Sequence, residues 1–119
     1  MEKQLAEKLE KITRRLEERK GEKIVSIDLE GQGAFTEALL ILTATSARHG
    51  RSLADSVADL CREQFYELSR MEGYDVGQWI LVDMNDVAIN IFLEPTRELY
   101  RLESLWGYVR PVQHTEVRS

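Results

Sequence analysis

The residues ALLILTATSARH, at positions 38–49, decide the fold because a buried strand and the start of a helix meet within them. Residues 38–43 are almost entirely apolar, as in a central strand that is covered on both faces. Thr45 and Ser46 carry side-chain oxygens of the kind that cap a helix N-terminus. The segment therefore predicts a central strand that leads directly into a helix packed on the same sheet.

The helix that follows this strand is predicted from about residue 47 to 71, with Gly73 as its stop. The positions that fall on one side of it are Leu53, Val57, Leu60, Gln64 and Leu68. On the N-terminal side, residues 23–29 (KIVSIDL) are rich in β-branched residues and predict a strand, which ends at a turn with Gly31 and Gly33.

A hairpin and a short helix are predicted after Gly77. The strands QWILV (78–82) and VAINIF (87–92) flank a polar turn at residues 83–86. Pro95 can open a helix at its first turn, and residues 97–106 are predicted to be helical in part. The predicted fold class is α/β: a single domain in which helices flank a mixed β-sheet.

The N-terminal residues 2–20 predict an amphipathic helix, because one narrow apolar stripe follows helical spacing. The stripe consists of Leu5, Leu9, Ile12 and Leu16. This helix either packs on the domain alone or also contacts a second subunit. The predicted organisation is an N-terminal amphipathic helix over 1–21, an α/β domain over 22–107 and a polar C-terminal tail over 108–119.

Composition narrows the class of partner. The 119 residues carry 16 Lys and Arg against 21 Asp and Glu, a net charge of −5 that weighs against nucleic acid as the main ligand. No apolar run approaches the ~20 residues that cross a bilayer, and the charged N-terminus does not resemble a secretory signal. Cys61 is the single cysteine, which rules out an internal disulfide and favours a reducing compartment. We therefore expect a cytoplasmic protein with a protein partner and no membrane contact.

Three blocks of the sequence together resemble the ribosome-silencing factors, the Iojap-like family. The first is DLEG (28–31) followed by LILTATSARH (40–49), similar to a family pattern Thr-Gly-Thr-Ser-x-Arg-His. The second is WILVD (79–83), with Asp86 and Val87 after the turn. The third is RELYRLESLWG (97–107), similar to the family's Arg-x-x-Tyr-x-Leu-Glu-x-Leu-Trp ending. Ala44 departs from a common family Gly, and Asn90 from a common His.

The resemblance implies a fold related to nucleotidyltransferases but without their catalytic motif, and so a protein that is not an enzyme. It implies a homodimer that binds the large ribosomal subunit through the ribosomal protein numbered fourteen, on the intersubunit face. There it would block subunit joining sterically and repress translation, without a cofactor or metal. The residues expected to contact the partner are Trp79, Leu81, Asn90, Phe92, Arg97, Tyr100 and Trp106.

Alternatives also remain at three further places in the sequence. Trp79 shares a strand face with Leu81 and is either a core aromatic or an interface anchor. The group Thr45, Ser46, Arg48 and His49 starts a helix, where it either binds an anion or only caps the helix. Asp28 and Glu30 lie two residues apart and are the carboxylate pair that a nucleotide- or metal-dependent transferase on this fold would use.

Overall fold

A computed structural model describes residues 2–31, 33–34 and 36–101 of the chain. This part folds into three helices and five strands. The helices are α1 (Lys3–Glu18), α2 (Ala47–Gln64) and α3 (Glu94–Tyr100). The strands are β1 (Glu22–Asp28), β2 (Ala38–Ala44), β3 (Arg70–Glu72), β4 (Trp79–Asp83) and β5 (Val87–Leu93).

The five strands form one mixed sheet in the order β1-β2-β5-β4-β3. The central strands β2 and β5 run parallel, and the other neighbours pair antiparallel. Every residue of β2 is buried, as its apolar sequence predicts for a strand with neighbours on both sides and cover on both faces. The predicted mixed sheet flanked by helices is confirmed.

The two faces of the sheet carry cores of different size. Helices α1 and α2 cover one face, where Ile80 and Val82 of β4 pack with Ile89 and Ile91 of β5. The opposite face carries a smaller apolar cluster, whose buried members are Ile27, Leu29, Leu39, Ile41 and Phe92. Trp79 packs against this second cluster. The alternation of side chains along β4 and β5 therefore places Trp79 on the face opposite α1 and α2.

Helix α1 belongs to the main core. Leu5, Leu9, Ile12 and Leu16, the predicted apolar stripe, are all buried in it. Arg15 also joins α1 to α2: its guanidinium donates to the Ser56 carbonyl at 3.2 Å and to the Glu63 carboxylate at 2.6 Å. No helix in the described part of the chain is long and apolar enough to cross a membrane.

The prediction for the end of α2 is wrong. The helix ends at Gln64, not near residue 71, because Phe65 adopts left-handed backbone angles (φ 61°, ψ 36°). Arg70–Glu72 then forms the edge strand β3, which sequence analysis missed, and pairs with β4. As a result, Gln64 and Leu68 are exposed and do not contribute to the packed side of the helix.

Candidate functional site

Three aromatic side chains meet on the sheet face opposite α1 and α2. Trp79 and Phe92 are cross-strand partners, and their ring centroids lie 4.9 Å apart. The ring of Tyr100, at the end of α3, lies 4.8 Å from that of Trp79. Phe92 is fully buried beneath the other two, whereas Tyr100 is 52% exposed. We call Trp79, Leu81 and Tyr100, which are all at least partly exposed, the aromatic surface.

The orientation of Trp79 is fixed by a buried amide. Asn90 lies opposite Leu81 in the β4–β5 pairing, and its Oδ1 accepts a hydrogen bond from Trp79 Nε1 at 2.9 Å. The buried amide oxygen of Asn90 and the partly buried indole N–H of Trp79 each need such a partner, and this one bond satisfies both. Asn90 therefore orients the indole from beneath the surface.

Arg97 lies inside the domain, with only 8% of its surface exposed. Its Nη1 donates to the Lys23 carbonyl at 2.8 Å and to Thr43 Oγ1 at 2.9 Å. These bonds fix α3 against β1 and β2, and Tyr100 follows one helical turn later. Of the residues predicted to contact the partner, Asn90, Phe92 and Arg97 are therefore buried, and they hold the exposed residues in place from within the domain. Trp106 and the tail 108–119 lie outside the described residues.

A shallow pocket of about 240 Å³ adjoins the aromatic surface and adds residues that sequence analysis missed. Glu72 and Gly73 line it together with Trp79 and Leu81. A Cβ atom at Gly73 would lie 2.1 Å from the Trp79 carbonyl oxygen, and its φ is +79°, so this position requires glycine. The sequence predicts Gly73 only as a helix stop, because its place beside Trp79 depends on the pairing of β3 with β4.

The predicted anion-binding residues come together at the start of α2, but the fold uses most of their polar groups. Ser46 Oγ accepts from the His49 backbone N–H at 3.0 Å and caps the helix. His49 Nδ1 accepts from the Thr45 N–H at 3.0 Å, which leaves Nε2 to donate to the Arg19 carbonyl at 2.9 Å. His49 thereby joins the end of α1 to the start of α2, while Arg48 stays exposed.

Asp28 of the predicted carboxylate pair, and two aspartates at the β4–β5 turn, all make contacts within the fold. Asp28 Oδ1 accepts from the Glu30 backbone N–H at 2.9 Å, an arrangement typical of a turn. In the β4–β5 turn, Asp83 accepts from Arg70 and Asp86 pairs with Lys8. Within residues 2–31, 33–34 and 36–101, no three His, Cys, Asp or Glu side chains are grouped to hold a metal ion.

Cys61 is a buried packing residue of α2. Burial raises the pKa of its thiol, so the neutral form is favoured over the reactive thiolate. The side chain contributes to the main core beside Leu60.

Comparison with known proteins gives consistent matches. Residues 2–119 match the family model described as ribosomal silencing factor during starvation. The ribosomal silencing factor RsfS of Haemophilus influenzae is 34% identical over 88 residues, which cover 74% of this chain and 86% of that protein. A mouse protein named mitochondrial assembly of ribosomal large subunit protein 1 is 31% identical over 88 residues, 70% of this chain and 38% of that protein. A crystal structure of a Chromobacterium violaceum protein has a TM-score of 0.81 and 32% identity, and the match covers 94% of this chain and 92% of that one.

Proposed function

We propose that this chain binds the large ribosomal subunit and prevents the small subunit from joining it, because the chain belongs to the family of ribosomal silencing factors. The match over residues 2–119 carries the proposal and confirms the resemblance seen in the three sequence blocks. The large subunit is the preferred target because one relative is named for assembly of the mitochondrial ribosomal large subunit.

The aromatic surface is the part of the chain that we propose for the ribosomal contact. Aromatic side chains that are partly exposed and rigidly held are typical anchors of protein interfaces. Trp79 and Tyr100 meet this description, because Asn90 and Phe92 hold the indole and α3 carries the phenol. Their proposed partner is the ribosomal protein numbered fourteen, on the intersubunit face.

Steric occlusion is the proposed mechanism. The domain measures 34 × 33 × 29 Å, so its bulk on the intersubunit face would separate surfaces that must meet directly. Occlusion of this kind represses translation stoichiometrically and requires neither catalysis nor a cofactor. We place this activity in the cytoplasm. If calorimetry shows that a nucleoside triphosphate with Mg²⁺ binds at micromolar concentration, the transferase alternative gains support.

A homodimer is the proposed state of the free protein. On the face opposite α1 and α2, the apolar side chains of Val25, Trp79 and Ala88 are only partly buried around the second cluster, and exposed apolar surface of this kind usually meets a partner. Light scattering at micromolar concentration measures this state directly, and a monomer over that whole range would exclude the dimer.

Cosedimentation with separated ribosomal subunits tests the proposed function. We expect the protein to migrate with the large subunit in a sucrose gradient. When it is mixed with the small subunit instead, it should remain unbound at the top of the gradient. A Leu68→Ala variant should behave as wild type, because Leu68 is exposed in the loop before β3, away from the aromatic surface. Equal association with both subunits, or with neither, would refute the proposal.

A further inference from the structure

A second pocket, of about 310 Å³, opens where α1 begins, α2 ends and β5 begins. Its lining is strongly acidic, with four carboxylates against one ammonium group. The carboxylates belong to Glu2, Glu37, Glu67 and Asp86, and the ammonium belongs to Lys8. The negative charge of this lining exceeds what Lys8 can balance.

The charges of the pocket divide into paired and unpaired groups. Lys8 Nζ lies 2.8 Å from Asp86 Oδ1, so these two charges balance each other. Glu2 caps α1 by accepting from the Leu5 backbone N–H. The exposed side chains of Glu37 and Glu67 have no hydrogen-bond or ionic partner within the described part of the chain. Two carboxylates therefore remain to bind a cation.

Phe65, at the edge of this pocket, is 94% exposed. It also occupies the left-handed backbone region just after α2, where glycine or asparagine is favoured because a Cβ atom is strained. Neither packing nor backbone preference accounts for a phenylalanine here. An aromatic ring that adds little to the core at a strained position indicates a role outside the fold.

We infer that this pocket binds an arginine side chain from a basic segment of a partner protein. The flat guanidinium can stack on the Phe65 ring while its N–H groups donate to Glu37 and Glu67. Tyr66 supplies a second ring in the same lining, and Lys8 Nζ already lies 4.9 Å from its centroid. The pocket thus combines unbalanced negative charge with an exposed aromatic ring, which is the chemistry that recognises a cationic side chain.

The pocket is separate from the aromatic surface. Asp86 directly precedes β5, whereas Phe92 pairs with Trp79 near the far end of that strand. Six residue steps along a strand span about 20 Å. The inference therefore does not depend on the proposed ribosomal function, and either one can fail without the other.

Calorimetric titration of the full chain with a hexa-arginine peptide at low ionic strength tests the inference. The double variant Glu37→Gln/Glu67→Gln should bind the peptide roughly tenfold more weakly, since two ionic hydrogen bonds are lost. Phe65→Gly should bind it about two- to fivefold more weakly, as expected for one exposed cation–π contact. The matched control is Glu22→Gln/Asp75→Asn, which removes the same charge from two exposed residues away from the pocket and should bind as wild type.

The outcomes separate specific recognition from its alternatives. Phe65→Gly should melt at the same or a higher temperature, because glycine suits the backbone there. A lower melting temperature would assign Phe65 to packing and overturn the inference. Equal weakening by the control pair would show only general attraction to an acidic protein and would also overturn it. If Phe65→Gly converts a dimer into a monomer, the occupant is a second copy of this chain, and the inferred partner is wrong.

Discussion

The indole of Trp79 is held by three contacts, so truncating it would change the fold and the surface together. Its ring contacts Phe92 and Tyr100, and its Nε1 donates to Asn90. The sequence left open whether Trp79 is a core residue or an anchor, and its half-buried position makes it part of both. Tyr100 is the better probe of binding, because it is 52% exposed.

Arg97 provides a prediction about stability at the residue scale. In Arg97→Met the Lys23 carbonyl and Thr43 Oγ1 lose a charged donor, at positions that are 74 and 54 residues away in sequence. We expect the free energy of unfolding to fall by about 1.5–3 kcal/mol, the usual value for hydrogen bonds to a charged group. Urea unfolding at neutral pH measures this loss.

The control for this measurement is Arg101→Met. Arg101 follows α3, and within the described residues its side chain pairs with Glu98; both side chains of this pair are about two-thirds exposed (67% and 70%). Its replacement should change the free energy of unfolding by less than ~0.5 kcal/mol. Equal losses for Arg97→Met and Arg101→Met would contradict the positioning role of Arg97.

At the scale of elements, the sequence predicts the helices and strands whose apolar residues recur with a clear period, but it does not predict the end of α2. Residues 65–71 contain neither glycine nor proline, so helix propensity alone extends α2 toward Gly73. The helix stops because Phe65 turns left-handed and Tyr66 packs against the main core. The pairing of Arg70–Glu72 with β4 then outweighs the local preference of these residues for helix. Such tertiary contacts are not visible in local sequence patterns.

The candidate site shows the same limit. Side-chain alternation along two adjacent strands is enough to place Trp79 and Leu81 on the face of Asn90 and Phe92. The position of Tyr100 depends on where α3 docks, and Arg97 sets that position through contacts with distant strands. The motif in residues 97–107 does not reveal where α3 docks on the sheet.

Helix α1 provides a prediction at the element scale. Ile12 lies on the side of α1 that packs into the main core, and it is fully buried there. Ile12→Ala should lower the free energy of unfolding by about 2–5 kcal/mol, because it leaves a cavity in a packed core. The exposed residue Arg14 on the same helix is the control, and Arg14→Ala should cost less than ~0.5 kcal/mol in a thermal or urea melt. A loss for Ile12→Ala as small as the control would mean that α1 contributes little to the stability of the domain.

At the scale of the whole molecule, the features proposed for binding lie at opposite ends of the sheet. The aromatic surface is near the end of β5, and the acidic pocket is where β5 begins. The body of the domain lies between them and would provide the bulk that steric occlusion requires. Variants at the two sites should therefore act independently, which allows the occlusion mechanism to be tested by changes to the aromatic surface alone.

The most direct test of occlusion is to follow subunit joining by light scattering after large subunits are preincubated with the protein. Wild-type protein should reduce joining once its concentration matches that of the large subunits. Tyr100→Ala should require about thirtyfold more protein for the same effect, since loss of an interface anchor costs about 2 kcal/mol. Normal joining in the presence of saturating, bound wild-type protein would contradict the account, as would a Tyr100→Ala variant as effective as wild type.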